Sequence, residues 1–278
     1  MLKKTGLLIL AGIFAISSAG FAGTVGNPAS TDSPKGPGVF SMKQHSNLAF
    51  KAGVDLEFLF DRDLHADAAF NTKLTSGEWC MARISFVILD RVEPYVKLGV
   101  AHMKAKWSEA GHEAKLDSDT GFSWGLGAKA LIYEIPKPKI KLVADGYWRI
   151  ANMDVSNGYV DGVKIPLDTS KSRFTIREWQ LALLAATDID ITGPGKPEVM
   201  GISTLTPYAG IKYSDIGGRL RLMQTNNAYY NNPGNIDADN NFGILVGCDF
   251  VGSSSVSVNL EGRFIDETAM TTGLSVLF

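Results

Sequence analysis

The chain has 278 residues, and 27 Lys and Arg against 29 Asp and Glu leave a formal charge of −2, so no strong positive field is present to hold nucleic acid. Charged residues make up only 20 %, while 29 glycines exceed the usual share of about 7 %, a balance that leans toward strands and turns. No uncharged apolar run reaches the roughly 18 residues of a membrane helix, and two cysteines cannot build a disulfide framework or a four-cysteine zinc site.

The first 22 residues read as a secretory signal peptide: Lys3 and Lys4 make a basic start, 5–16 is a short apolar stretch, and Gly20-Phe21-Ala22 supplies small residues for cleavage after Ala22. Residues 23–46 place Pro28, Pro34 and Pro37 among Gly, Ser, Thr and Asn. That composition is too poor in apolar side chains to hold a packed element, so a mobile periplasmic tail is expected.

From 47 to 278 the chain repeatedly alternates apolar and polar residues over about ten positions, the period of a half-buried strand. In 47–60 Leu48, Phe50, Ala52, Val54, Leu56, Phe58 and Phe60 oppose Lys51, Asp55 and Glu57. In 78–89 Cys80, Ala82, Ile84, Phe86 and Ile88 oppose Arg83 and Ser85, and in 94–103 Val96, Leu98 and Val100 oppose Lys97. The pattern returns at 122–133 around Lys129, at 140–150 around Lys141, Asp145 and Arg149, and at 176–187 around Glu178. It recurs at 207–216 around Lys212, at 242–251 around Asp249, at 255–264 around Glu261 and Arg263, and at 270–278, where Leu274, Val276 and Phe278 oppose Gly273 and Ser275. Ten strands are predicted, each keeping one parity throughout.

The connections alternate in length. Long polar ones are expected at 61–77, 108–121, 155–172 and 224–241, and short ones at 90–93, 134–139 and 252–254. Long loops on one rim and tight turns on the other, joined by strands long enough to cross a bilayer with tilt, predict an all-β fold: a closed, antiparallel, up-and-down transmembrane β-barrel of about ten strands over 47–278. Two connections fit less well, since 188–200 is long for the short side and 266–268 is short for the long side. The five tryptophans, Trp79, Trp107, Trp124, Trp148 and Trp179, do not sort into two rims by position.

On these features the chain resembles the small bacterial outer-membrane β-barrel proteins, loosely of the opacity-protein type. The terminal alternation Leu274, Val276, Phe278 looks like their C-terminal signature, which implies that the barrel-assembly machinery reads it. The resemblance implies the outer membrane as location and its lipid as surroundings, and supplies no activity.

With the apolar parity toward lipid, Lys51, Arg83, Lys97, Lys129, Lys141, Arg149, Lys212 and Arg263 point inward together with Asp55, Glu57, Asp145, Glu178, Asp249 and Glu261. Such charges are costly to bury singly and tolerable when paired, so a bridged polar plug with at most a small passive pore is expected. A structural or surface role follows, with no enzyme activity, cofactor or metal. The alternative is an adhesin or binding protein that takes an extracellular ligand through long loops such as 224–241, with Tyr229 and Tyr230. A rim-active protease of omptin type is the remaining reading, because Asp61, Asp63, His65 and Asp67 share one parity near a rim, but no second acidic pair with a histidine accompanies them.

Overall fold

The computed structural model describes residues 48–66, 69–89, 91–109, 111–135, 139–191, 202–223, 235–252 and 256–278. The expected signal peptide and tail lie outside them, as do Asp67 and the tyrosines of 224–234. The strands are β1 (Leu48–Ala66), β2 (Ala69–Ile88), β3 (Val92–Glu109), β4 (His112–Ser118), β5 (Gly121–Ile135), β6 (Ile140–Val160), β7 (Val163–Lys164), β8 (Arg173–Thr187), β9 (Ile189–Asp190), β10 (Ile202–Arg221), β11 (Asn235–Ala238), β12 (Phe242–Gly252), β13 (Val256–Phe264) and β14 (Thr268–Leu277).

Every pairing is antiparallel, and the ring runs β1, β2, β3, β5, β6, β8, β10, β12, β13, β14 and back to β1. These ten strands close on themselves, so no edge is left to pair with another chain. The short connections lie at the end where β1 begins and β14 finishes, here the lower end. At the upper end two of the predicted long loops, 61–77 and 108–121, are largely strand. β1 runs on to Ala66 and β2 begins at Ala69, while β4 fills most of 108–121 and continues β5 between the same two neighbours, β3 and β6. Turn composition misled the sequence reading, because polar residues on the outer face of a strand that rises into water look like a loop.

The upper ring is also narrower. β11 pairs with β10 on one side and β1 on the other, whereas β13 and β14 stop at Phe264 and Thr268 beneath it. Ten strands at the lower end therefore become eight at the upper end: β1, β2, β3, β4, β6, β8, β10 and β11. This accounts for the connection at 266–268, which is short because the β13–β14 hairpin ends under β11 instead of rising to the rim.

The expected constant parity breaks at bulges. Phe60 and Asp61 both turn outward at the register shift between Leu59 and Asp61, so the buried set on β1 changes from Asp55, Glu57 and Leu59 to Arg62, Leu64 and Ala66. A second shift between Leu74 and Ser76 does the same on β2, where burial passes from Thr72 and Leu74 to Trp79 and Met81.

Outside, Val54, Ile84, Phe86, Val96, Leu98, Leu126, Leu181, Leu183, Ile211, Ile244, Val246 and Leu260 form an exposed apolar band. From Leu48 to Phe60 it covers about 40 Å of strand, which a tilt near 40° reduces to roughly 30 Å of height, the scale of the lipid-facing band of a spanning barrel. Aromatic rings rim it. At the upper edge Trp124 and Trp148 meet at 5.0 Å, Trp179 and Tyr213 at 5.1 Å, and Tyr213 and Phe242 at 5.0 Å between centroids. At the lower edge Phe50 touches Phe86 and Phe278. Aromatic rings thus rim both edges although the tryptophans alone do not sort into two rims, because neighbouring strands add Tyr and Phe, and because Trp79 and Trp107 point inward.

Candidate functional site

The interior has two chemistries. All fourteen charged residues assigned to the lumen are buried there, and the fold brings in further partners from segments read as turns or loops: Arg62, Glu93, Asp266 and Glu267. The largest group lies at the level where the ring narrows. Arg149 makes a forked contact with Glu57, Nη1 to Oε2 at 2.8 Å and Nη2 to Oε1 at 2.5 Å, and its Nε donates to Glu178 Oε2 at 2.6 Å. The other oxygen of Glu178 accepts from Arg62 Nη1 at 2.7 Å, and the same nitrogen reaches Glu267 at 3.1 Å. Lys212 donates to Glu267 at 2.5 Å and lies 2.7 Å from Asp266, while Arg263 spans Glu57 at 3.1 Å and Glu267 at 3.2 Å. Ser214 Oγ donates to Asp266 and accepts from Arg62 Nη2. Four carboxylates face four cations, an arrangement that makes burial tolerable because each charge has more than one partner.

The turn that delivers two of those carboxylates is strained. Ile265, a β-branched residue, sits at φ 87° and is exposed, while Asp266 and Glu267 beside it turn into the barrel. Space for them comes from Gly243, where a Cβ would overlap Asp266 Oδ1. A comparable close approach occurs lower down, where a Cβ on Gly127 would stand 2.5 Å from the ring of Tyr95, whose hydroxyl donates to Asp145 Oδ1 at 2.8 Å.

The remaining lumen charges fall into smaller sets. Asp55 lies between Lys97 at 2.9 Å and Arg83 at 3.3 Å, and Lys97 also stands 4.8 Å from the Tyr147 ring. Glu93 accepts from Ser85 and lies 3.9 Å from Lys51. Lys129 lies 5.6 Å from the Tyr95 ring. Asn259 donates to Asp249 and to Tyr208, whose hydroxyl in turn donates to Glu261 at 3.0 Å. Lys141, Asp145 and Arg149 share one inward row but not one cluster, because Lys141 turns down to Asp188 at 2.7 Å, Asp145 meets Tyr95, and Arg149 reaches across the lumen.

Above this layer the interior is apolar. Leu64, Leu74, Met103, Trp107, Leu116, Met153, Val155, Phe174, Ile176, Ile216, Leu220 and Ile236 belong to one buried cluster, and the guanidinium of Arg149 stacks 3.9 Å from the Trp79 ring at its floor. An eight-stranded ring is narrow enough for side chains to fill. A void of about 10 Å³ lined by Leu64, Phe174, Ile176, Ile216, Gly218 and Ile236 has room for about one water.

At the rim, Asp61, Asp63 and His65 alternate outward from β1, and Lys73 lies 3.4 Å and 3.2 Å from the two carboxylates. They face away from the lumen. Among the described residues no group of three or more His, Cys, Asp or Glu could hold a metal ion. Leu274 and Val276 pair with Val54 and Ala52 across the closing seam, and the Phe278 amide donates to the Phe50 carbonyl at 2.9 Å.

Arg62, Glu93, Asp266 and Glu267 are the buried charges that sequence reasoning missed. Arg62 carried a readable signal, since Arg62, Leu64 and Ala66 alternate with Asp61, Asp63 and His65, but in a parity shifted by one from that of 47–60. Glu267 carried none, because its partners lie on three other strands.

No protein-family model matches the chain, and no curated protein does. Among solved structures it is similar to the outer membrane protease OmpT from Escherichia coli, with TM-score 0.40 and 10 % identity over 83 % of this chain and 97 % of that one. It is also similar to the translocator domain of autotransporter NalP from Neisseria meningitidis, with TM-score 0.38 and 12 % identity over 84 % and 89 %, respectively. A third is the transport unit of autotransporter AIDA-I from Escherichia coli, with TM-score 0.37 and 10 % identity over 90 % and 96 %. Likeness at this level does not bear on what this chain does.

Proposed function

We propose that this chain is an outer-membrane barrel with a closed lumen, serving a structural or surface role and conducting at most as a small passive pore. The observation that carries this reading is the stacking of two seals, a charge-balanced layer around Arg149, Glu178 and Arg62 beneath an apolar core in a narrowed ring. A solute would have to break buried ion pairs and then part packed side chains, each costing several kcal/mol. In this reading the chain is not an enzyme, and outer-membrane lipid and the barrel-assembly machinery are its partners. Purified protein in a planar bilayer is expected to show no large steady channel. Large, weakly selective conductance, with Glu178→Gln tolerated, would overturn the proposal.

A second reading, an extracellular binding protein or adhesin, is favoured by the collar that the strands raise above the apolar band, whose outer face carries Lys104, Lys106, Lys115, Asp117 and Asp154. Deleting the tip 161–164 should then abolish surface binding while leaving barrel insertion intact, as read by cell adhesion beside membrane fractionation.

A further inference from the structure

On the outer wall, β8 and β10 carry four exposed arginines above the upper aromatic rim, Arg177 nearest to it. Arg177 lies two residues beyond Trp179 on the same face, about 7 Å along the strand, and Arg173 is four residues further up. In the β8–β10 register Arg173 stands directly opposite Arg221, Thr175 opposite Arg219, and Arg177 opposite Gly217. Like charges directly opposed across a strand pair repel. The acids nearby are few and partly engaged: Asp154 lies 3.7 Å from Arg173, Asp215 accepts from Trp179 Nε1 at 3.1 Å, and Asp237 faces Gly217 from β11. Among the described residues Arg177 and Arg219 have no ion pair. The other cationic part of the collar differs, since Lys104, Lys106 and Lys115 each lie within 3.6 Å of Asp117 or Glu113.

We propose that this wall docks the phosphate-bearing headgroup of an outer-leaflet lipid, with Arg177 and Arg219 holding its phosphate oxygens. The site rests on the membrane placement proposed above. Guanidinium forks bind phosphate oxygens through paired charge-assisted hydrogen bonds, and Gly217 puts no side chain of its own beside Arg177, the nearest atom to a Cβ there being Asp237 Oδ1 at 3.5 Å. Height selects a lipid over free phosphate. Directly beneath the arginines the same two strands present Trp179, Leu181, Leu183, Tyr213 and Ile211 outward, an apolar track that an acyl chain follows while its headgroup reaches the cations.

The test uses the full folded chain in phosphatidylcholine nanodiscs, with the temperature at which its heat-modifiable gel mobility is lost as readout. Adding lipid A, a diphosphorylated glycolipid, should raise that temperature, whereas its dephosphorylated form and inorganic phosphate should not. Arg177→Gln with Arg219→Gln should weaken the apparent affinity for lipid A by about tenfold, the effect of losing roughly 1.4 kcal/mol of charge-assisted contact. Lys104→Gln with Lys115→Gln should leave it unchanged. Equal stabilisation by the dephosphorylated lipid or by phosphate, or full lipid A binding by the double arginine variant, would overturn the site while leaving the membrane placement standing. A chain that stays soluble and does not enter the nanodisc overturns the placement and the site together.

Discussion

Strand β8 carries both halves of the molecule on one continuous ladder. In its lower part Glu178 and Gln180 are buried while Trp179, Leu181 and Leu183 are exposed; four residues higher Phe174 and Ile176 are buried while Arg173 and Arg177 are exposed. β3 repeats the inversion, passing from Lys97 inside and Leu98 outside to Met103 inside and Lys104 outside. The ladder does not change, only the medium around it. In the membrane placement proposed above, lipid surrounds the lower part, where polar groups gain by turning inward and pairing, and water surrounds the upper part, where apolar groups gain by turning inward and packing. One fold thus encloses an ionic core and a hydrophobic core in series, and they should fail differently when perturbed.

The largest effect is expected in the ionic half. Arg149→Leu leaves Glu57 and Glu178 each short of a partner in a dry interior, a loss of more than about 3–5 kcal/mol, the usual cost of stranding one member of a buried pair. Chemical unfolding of the refolded barrel measures it. Adding Glu178→Leu to that variant should recover part of the loss, and strictly additive penalties would show that the residues do not act as one cluster. In the apolar half Phe174→Ala should cost about 3–5 kcal/mol by leaving a cavity, with no such rescue by a charge-removing partner.

The outer faces give a sharper contrast. Leu98→Lys should cost roughly 2–4 kcal/mol because it places an ammonium in lipid, whereas Lys104→Leu, on the same face of β3, should change stability by no more than about 0.5 kcal/mol. Similar penalties at both positions would place the boundary elsewhere. At the junction, Gly243→Ala drives a methyl into Asp266 and should destabilise by about 1–3 kcal/mol, while Gly146→Ala, with no atom closer than 3.8 Å, should be milder.

The smallest effect concerns the upper tip. His112 and the Glu113 amide both hydrogen-bond the exposed Asp161 carboxylate, which holds its pKa below the ordinary value of about 3.9. A depressed carboxyl contributes stability that is present above the ordinary pKa and is lost as pH falls through the depressed one. Amide exchange at 112–113 should therefore quicken below about pH 4, with the ionic core still protected, and Asp161→Asn should remove that pH dependence. Unchanged exchange at the tip across that range would refute the assignment.

Much of the lower half was legible because it follows a strict rule: alternation with charges on one parity leaves few options for which side is buried. The inward direction of Lys97, Asp145 and Glu178 follows from that rule alone. The upper half obeys the opposite rule, and its polar outer face imitated loops at 61–77 and 108–121. The bulge at Phe60–Asp61 concealed Arg62 further, since one extra residue moves every later side chain to the other face.

What the sequence determined by itself is periodicity and the location of the apolar band, because these depend on residues adjacent along one strand. Which charges meet was decided by tertiary structure alone. Arg62 reaches Glu178 across 116 positions and Glu267 across 205, through a narrowing of the ring that exists only once β11 has joined β10 to β1 above the β13–β14 hairpin. Pairing across a lumen depends on register and on the width of the ring, and neither quantity is a property of any single strand.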